Sequence, residues 1–234
     1  MDYSSSTGVK IMTPIARDTG CKYQPFAQTV LLNGVQAKLG APLVEGARGV
    51  CHGLAVAWLE TMEKSGGDFV GQVAEFERSP MFYRAYMAYR HQETFGSIST
   101  SGTWRGTDMA SRDWSAKDRF FGGAAITQNS GLVDVGKSKS FGLSQRGMEA
   151  FCAWLSAAFG KRYFMVSVPN HAMAAVGSRT GVYSFFDPNC GIVSSSSARD
   201  LATCLYRYFS NATIKTAYKD GGAADWLTAT KYKA

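Results

Sequence analysis

Three short segments of strand character follow one another between residues 163 and 186, and they restrict the fold more than any other feature of the sequence. They are residues 163–168, 171–176 and 182–186, and each is rich in apolar, aromatic or β-branched side chains. The last two are separated by Gly-Ser-Arg-Thr-Gly, which is a typical turn composition. The pattern therefore predicts adjacent antiparallel strands, two of them joined as a hairpin.

The predicted hairpin brings a histidine and an aspartate together at its open end. With the turn centred between Arg179 and Thr180, His171 lies opposite residue 188, and Asp187 lies beside it. Side chains at opposite positions are about 5 Å apart at Cβ, which is within reach of a carboxylate–imidazole hydrogen bond. Taken singly, His171 is also consistent with a surface histidine and Asp187 with the first residue of an Asp-Pro-Asn turn.

A further feature is an apolar helix that begins at a cysteine. Glycine-rich residues 46–49 precede Cys51, and apolar side chains recur every four residues at Val50, Leu54, Trp58 and Met62. This period predicts a helix that starts at Cys51 and ends before Gly66. The N-terminus of a helix stabilises a thiolate, although a small buried core residue is the alternative interpretation of Cys51.

These residue types suit nucleophilic catalysis, which needs a thiolate, a base and a group that orients the base. His171 is the best base of the three histidines. His52 adjoins Cys51 but points about 100° away around the helix, and His91 lies in a separate predicted helix. The predicted catalytic residues are therefore Cys51, His171 and Asp187.

The rest of the chain predicts more helices and an unstructured start. Helical patterns occupy residues 69–78, 81–93, 142–159 and 198–209, the last opened by a capping box of Ser197 and Asp200. Residues 96–136 have no clear pattern. Residues 1–25 begin with a serine-rich stretch and are predicted to be a disordered leader, which leaves residues 26–234 as one domain.

Composition restricts the partners and cofactors. The net charge of +7 is spread along the chain, so nucleic-acid binding is not expected, although an anionic membrane could attract the protein. No apolar run reaches the roughly 18 residues of a membrane helix. The five cysteines contain no Cys-x-x-Cys pair, which argues against a zinc ribbon or a disulfide framework. We expect a monomer without metal or organic cofactor.

With these residues identified, the sequence resembles the YopT/AvrPphB-type effector proteases of bacterial type III secretion. The matching stretches contain the cysteine, the histidine and the aspartate in that order and are residues 49–59, 171–176 and 185–191. The resemblance implies a papain-like α+β fold, in which a helical subdomain led by the cysteine helix packs on a central antiparallel sheet. It also implies a Cys-His-Asp catalytic triad.

The resemblance further implies a cysteine endopeptidase that a bacterium secretes into the cytoplasm of a host cell to cleave a host protein. Prenylated Rho-type small GTPases and receptor-like cytoplasmic kinases are substrates within the family, and association with a host membrane is a further expectation. Two other functions stay open. One is a deamidase or transglutaminase with the same triad, and the other is a catalytically inactive papain-like binding module.

Two family features are less clear in this sequence. Papain-like enzymes commonly place an amide side chain shortly before the cysteine, where this chain has Gly46 and Glu45, so the oxyanion donor stays open among Gln28, Asn33 and Gln36. Several relatives cleave themselves ahead of a Gly-Cys pair that is then acylated. Gly20-Cys21 is a candidate for this processing, and an ordinary loop is the alternative.

Overall fold

The computed structural model describes residues 5–28, 51–64, 131–156, 160–168, 171–178, 181–218 and 225–234. The helices in these ranges are α1 (Ser5–Asp18), α2 (Cys51–Lys64), α3 (Gln145–Leu155), α4 (Ala198–Ser210) and α5 (Ala212–Tyr218). The strands are β1 (Lys22–Pro25), β2 (Val133–Gly142), β3 (Lys161–Val168), β4 (His171–Ser178), β5 (Tyr183–Asp187), β6 (Gly191–Ser195) and β7 (Trp226–Lys233). These strands form one sheet in the order β1-β6-β5-β4-β3-β7-β2, and every neighbouring pair is antiparallel.

Helices cover both faces of this sheet. Helix α2 packs on one face against alternate strand residues, which are Tyr163, Met165, Ala174, Val176, Phe186 and Ile192. The intervening residues of the same strands point to the other face, where the core also contains side chains of α1, α3, α4 and α5. Because successive side chains of a strand alternate between faces, burial on both faces explains why β3, β4 and β5 are apolar at nearly every position.

Several elements confirm the sequence predictions. Helix α2 runs from Cys51 to Lys64, and the three predicted strands are present with ends that differ by one or two residues. Helix α4 has the predicted cap, in which the Ser197 hydroxyl accepts a hydrogen bond from the Asp200 N–H. The helix predicted at residues 142–159 is shorter, because β2 extends to residue 142 and Ser144 caps α3.

Other predictions lie wholly or largely outside the described residues. These are the helices at residues 69–78 and 81–93 and most of the segment 96–136. Within the described part of the chain, no helix is long and apolar enough to cross a membrane.

The structure differs from the predicted disordered leader. Residues 5–18 form α1 and residues 22–25 form β1, which pairs with β6 at the edge of the sheet. Met12, Ile15 and Ala16 are buried in the core. Their spacing places them on one side of the helix, and this apolar stripe was obscured by the serine-rich start of the chain.

Candidate active site

The three predicted catalytic residues lie at one end of the sheet. Cys51 is the first residue of α2, His171 is the first residue of β4, and Asp187 is the last residue of β5. Strands β4 and β5 pair with Ala174 opposite Phe186, which is one residue further along than the predicted register. Asp187 stays at the open end of the hairpin despite this shift, so the structure brings the three side chains together.

A buried hydrogen bond joins His171 and Asp187. The distance from His171 Nε2 to Asp187 Oδ1 is 2.8 Å, and the two side chains are 5% and 0% exposed. An ionised carboxylate only accepts hydrogen bonds, so Nε2 carries the proton. This leaves Nδ1 for the hydrogen bond that the imidazole makes with the Cys51 thiol.

Asp187 accepts hydrogen bonds on both of its oxygens. Besides His171, Oδ1 accepts from the Asn189 N–H at 2.8 Å. Oδ2 accepts from the hydroxyls of Tyr208 at 2.9 Å and Tyr218 at 2.7 Å. Hydrogen bonds to the charged form favour that form. With four donors around it, the buried carboxylate is held in one orientation.

Tyr218 also contacts the histidine. Its ring stacks on the imidazole of His171 with a centroid separation of 4.5 Å and an interplanar angle of 13°. The side chain of Asn189 donates from Nδ2 to the Tyr218 hydroxyl at 3.3 Å and accepts from Gln28 Nε2. One hydrogen-bonded chain therefore runs from Gln28 through Asn189 and Tyr218 to Asp187.

The pKa values of the three groups favour a charged site. Burial by itself raises the pKa of Asp187, but the charge and hydrogen bond of His171, with the N–H of Asn189 and the hydroxyl of Tyr218, bring it below its ordinary value. Burial by itself lowers the pKa of His171, but the charge and hydrogen bond of Asp187, together with Cys51, raise it to about 10.

The Cys51 thiol is stabilised as a thiolate in the same way. Burial by itself raises its pKa, but the hydrogen bond and charge of His171 outweigh this effect, together with backbone hydrogen bonds from Ala172 and His52. The net pKa of Cys51 is below its ordinary value. The arrangement therefore favours a thiolate–imidazolium pair, which is the reactive form of a nucleophilic cysteine.

The oxyanion candidates of the sequence divide into two groups. Gln28 is buried, and its side-chain amide donates a hydrogen bond to Asn189 Oδ1. The other two candidates, Asn33 and Gln36, lie outside the described residues. So do Glu45 and Gly46, which occupy the usual positions of the amide, and the alternative histidine His91.

Sequence reasoning missed the residues that surround Asp187. The sequence did point to Asn189 through the Asp-Pro-Asn motif, but that motif was interpreted only as a turn. Tyr208 and Tyr218 had none, because they lie 21 and 31 residues after Asp187 and reach it only through the packing of α4 and α5.

The four other cysteines are buried. Burial raises the pKa of Cys152 and Cys190, and the neighbouring Cys21 raises that of Cys204. Cys21 is the exception, since a hydrogen bond from Cys204 lowers its pKa to about 7.

The Gly20-Cys21 pair considered for self-processing ends a helix. Gly20 has a φ of +68° and Cys21 donates its N–H to the Ala16 carbonyl at 2.9 Å, which closes the last turn of α1. Cys21 itself is only 8% exposed. In the described residues, no group of three or more His, Cys, Asp or Glu side chains could hold a metal ion.

Comparison with known proteins connects this site to a protease family. The peptidase C58 family, described as Yersinia/Haemophilus virulence surface antigen, matches residues 19–223. A stretch of 61 residues is 43% identical to the "Multifunctional-autoprocessing repeats-in-toxin" protein of Vibrio vulnificus, and it covers 24% of this chain and 1% of that protein.

Two solved structures are similar in three dimensions. The Pseudomonas avirulence protein AvrPphB superposes with a TM-score of 0.56 at 18% identity, covering 79% of this chain and 92% of that one. The cysteine protease-like domain of the Photorhabdus asymbiotica toxin PaTox gives a TM-score of 0.47 at 12% identity and covers 98% and 60% of the two chains. Since the family match spans most of the sequence, this chain belongs to the peptidase C58 family and is a cysteine protease with a papain-like α+β fold.

Proposed function

We propose that the protease uses Cys51 as the nucleophile, His171 as the acid and base, and Asp187 as the residue that orients His171. The observation that carries this proposal is the buried hydrogen bond of 2.8 Å between His171 Nε2 and Asp187, made by an imidazole that also contacts the Cys51 thiol. The lowered pKa of Cys51 supports the role of nucleophile.

In this reaction the Cys51 thiolate attacks the carbonyl carbon of a peptide bond. The imidazolium of His171 donates its Nδ1 proton to the leaving amine, and the acyl group stays on Cys51 as a thioester. His171, now neutral, takes a proton from water as the water attacks the thioester. The acid product leaves, and the thiolate–imidazolium pair is restored. Asp187 keeps the proton on Nε2 throughout, as in other triads.

We also propose that the substrate is a host-cell protein and that the protease is a secreted virulence effector. The virulence description of the matched family supports this assignment. Within it, a small GTPase or a cytoplasmic kinase is the substrate class that the resemblance favours. The net charge of +7 is compatible with action near an anionic host membrane.

Labelling with the thiol-reactive inhibitor E-64 tests the assigned nucleophile. At neutral pH, intact mass and peptide mapping should show one adduct on Cys51 of the wild type and none in Cys51→Ala. Cys21→Ala is the matched control, because Cys21 is the other thiol with a lowered pKa, and this variant should be labelled like the wild type. An adduct that persists in Cys51→Ala on another cysteine would contradict the assignment.

A search for new protein N-termini in a host-cell lysate tests the reaction and its substrate. Incubation with the wild type should generate N-termini that are absent with Cys51→Ala. If the lysate instead gains about 1 Da at glutamine side chains without backbone cleavage, the deamidase alternative replaces the endopeptidase. If wild-type enzyme that is labelled by E-64 generates neither new N-termini nor deamidated glutamines in the lysate, the proposal of a host-protein substrate is contradicted.

A further inference from the structure

Tyr218 contacts both partners of the His171–Asp187 hydrogen bond. We propose that Tyr218 is a positioning residue of this protease, whose ring holds and shields the His171 imidazole while its hydroxyl fixes the Asp187 carboxylate. This inference rests on the proposed function of His171 and Asp187, and it adds a residue from a helix that lies outside the matched stretches of the triad.

The ring argument starts from the stacking geometry. At 4.5 Å and 13°, the imidazole lies nearly parallel to the Tyr218 ring, and the face of an aromatic ring attracts a cation. Tyr218 and His171 are 6% and 7% exposed, and Asp187 is fully buried. Covering the pair in this way excludes water, and opposite charges attract more strongly where the local dielectric constant is low. The ring therefore favours the imidazolium, which in turn favours the Cys51 thiolate.

The hydroxyl argument starts from the donors around it. Asn189 Nδ2 donates to the Tyr218 oxygen at 3.3 Å, so the single hydroxyl proton of Tyr218 is directed to Asp187 Oδ2 at 2.7 Å. The Tyr208 hydroxyl also donates to Asp187 Oδ2, at 2.9 Å. The carboxylate cannot rotate away from His171 without breaking both of these hydrogen bonds. Tyr208 thus shares the anchoring of Asp187, whereas the stacking contact belongs to Tyr218.

Two variants of Tyr218 separate its two roles. Tyr218→Phe keeps the ring and removes the hydroxyl, and Tyr218→Met fills similar space without a ring. The probe is iodoacetamide, and the measured quantity is the rate of Cys51 alkylation as a function of pH, in a Cys21→Ala background. Among the described residues, the titrating groups that face the His171–Asp187 pair besides Tyr218 are Cys51, Cys190 and Tyr208.

Loss of the ring should weaken the imidazolium and therefore raise the pH at which Cys51 ionises. A shift of one pKa unit makes alkylation about tenfold slower below that pH, and we expect this for Tyr218→Met. For Tyr218→Phe we expect a decrease of about threefold, because Tyr208 still anchors Asp187. Tyr183→Phe is the matched control on the strand of Asp187, since it loses only the hydroxyl contact with Ser156, and its profile should be that of the wild type.

The outcomes distinguish this inference from the proposed function. If Tyr218→Met is folded by thermal denaturation and keeps the wild-type profile, the positioning role is overturned. If Tyr218→Met does not fold, the test rests on Tyr218→Phe. A wild-type pH profile of Cys51 alkylation in Tyr218→Phe would overturn the role of the hydroxyl. If His171→Ala leaves the profile unchanged, the catalytic assignment itself fails, whatever the Tyr218 variants show.

Discussion

Asp187 is the residue on which the candidate site depends. A carboxylate with no solvent exposure is costly unless it is paired and fully hydrogen-bonded. Here an imidazole, a backbone N–H and two tyrosine hydroxyls satisfy it. An amide side chain has only one acceptor oxygen, so it cannot replace the carboxylate without leaving donors unpaired. This explains in physical terms why an aspartate occupies the position.

The first prediction concerns Asp187→Asn. We expect the free energy of unfolding to fall by about 1–3 kcal/mol at neutral pH, because buried donors lose their acceptor, and catalysis to fall by up to about 10⁴-fold, as in other triads. Denaturant unfolding and E-64 labelling rates measure the two effects. Asp134→Asn is the control in β2, where Oδ1 accepts a hydrogen bond from the nearby Gly136 N–H, and it should leave the E-64 labelling rate unchanged.

The loss of unfolding free energy in Asp187→Asn should depend on pH, because both Asp187 and His171 have shifted pKa values in the folded protein. The lowered pKa of Asp187 contributes stability that is present above its unfolded value of about 3.9 and is lost as pH falls further. The raised pKa of His171 contributes stability that is complete below about 6.5 and is lost as pH rises toward about 10. The free energy of unfolding of the wild type should therefore exceed that of Asp187→Asn by the largest amount between about pH 4 and 6.5. A difference that grows toward high pH would contradict the ion pair.

At the scale of elements, local sequence patterns predicted those helices and strands whose contacts lie between residues close in sequence. The β4–β5 hairpin and α2 follow from strand alternation, turn composition and helical period, and both are confirmed in the structure. Strand β7 was not predicted, because its threonines and lysines resemble a solvated segment. It forms only through long-range pairing with β2 and β3. The tyrosines at Asp187 escaped prediction for the same reason, since only tertiary packing places them there.

The second prediction concerns the close approach of β1 and β6. Gly191 has a φ of +126°, and a Cβ added there would lie 2.2 Å from the Gln24 carbonyl oxygen. Gly191→Ala should therefore separate β1 from β6 and lower the free energy of unfolding by at least about 1–3 kcal/mol. Hydrogen exchange of the β1 amides should increase. Gly142→Ala is the control, because its nearest atom would lie at 3.8 Å, and equal effects of both variants would contradict this explanation.

At the scale of the whole molecule, the candidate site lies where the two layers on the sheet meet. Cys51 belongs to α2, which covers one face, whereas Tyr208 and Tyr218 belong to α4 and α5 on the opposite face. His171 and Asp187 stand between them at the end of β4 and β5. Both layers must therefore be in place for the thiol, the imidazole and the carboxylate to meet, and a change in the packing of either layer is expected to affect the site.

Helix α1 provides the last prediction, since it packs on α4 in the layer that carries Tyr208. Met12 is fully buried, and its sulfur lies 3.7 Å from Cys204 Sγ on α4. Met12→Ala should leave a cavity and lower the free energy of unfolding by about 2–5 kcal/mol. Thr13→Ala, one residue along on the exposed side of α1, should change it by less than about 0.5 kcal/mol. Urea denaturation measures both.

If Met12→Ala were as stable as Thr13→Ala, α1 would not belong to the folded core, and the prediction of a disordered leader would stand. If it is destabilised as expected, α1 belongs to the folded core, and cleavage between Thr19 and Gly20 would cut the chain between this core helix and β1.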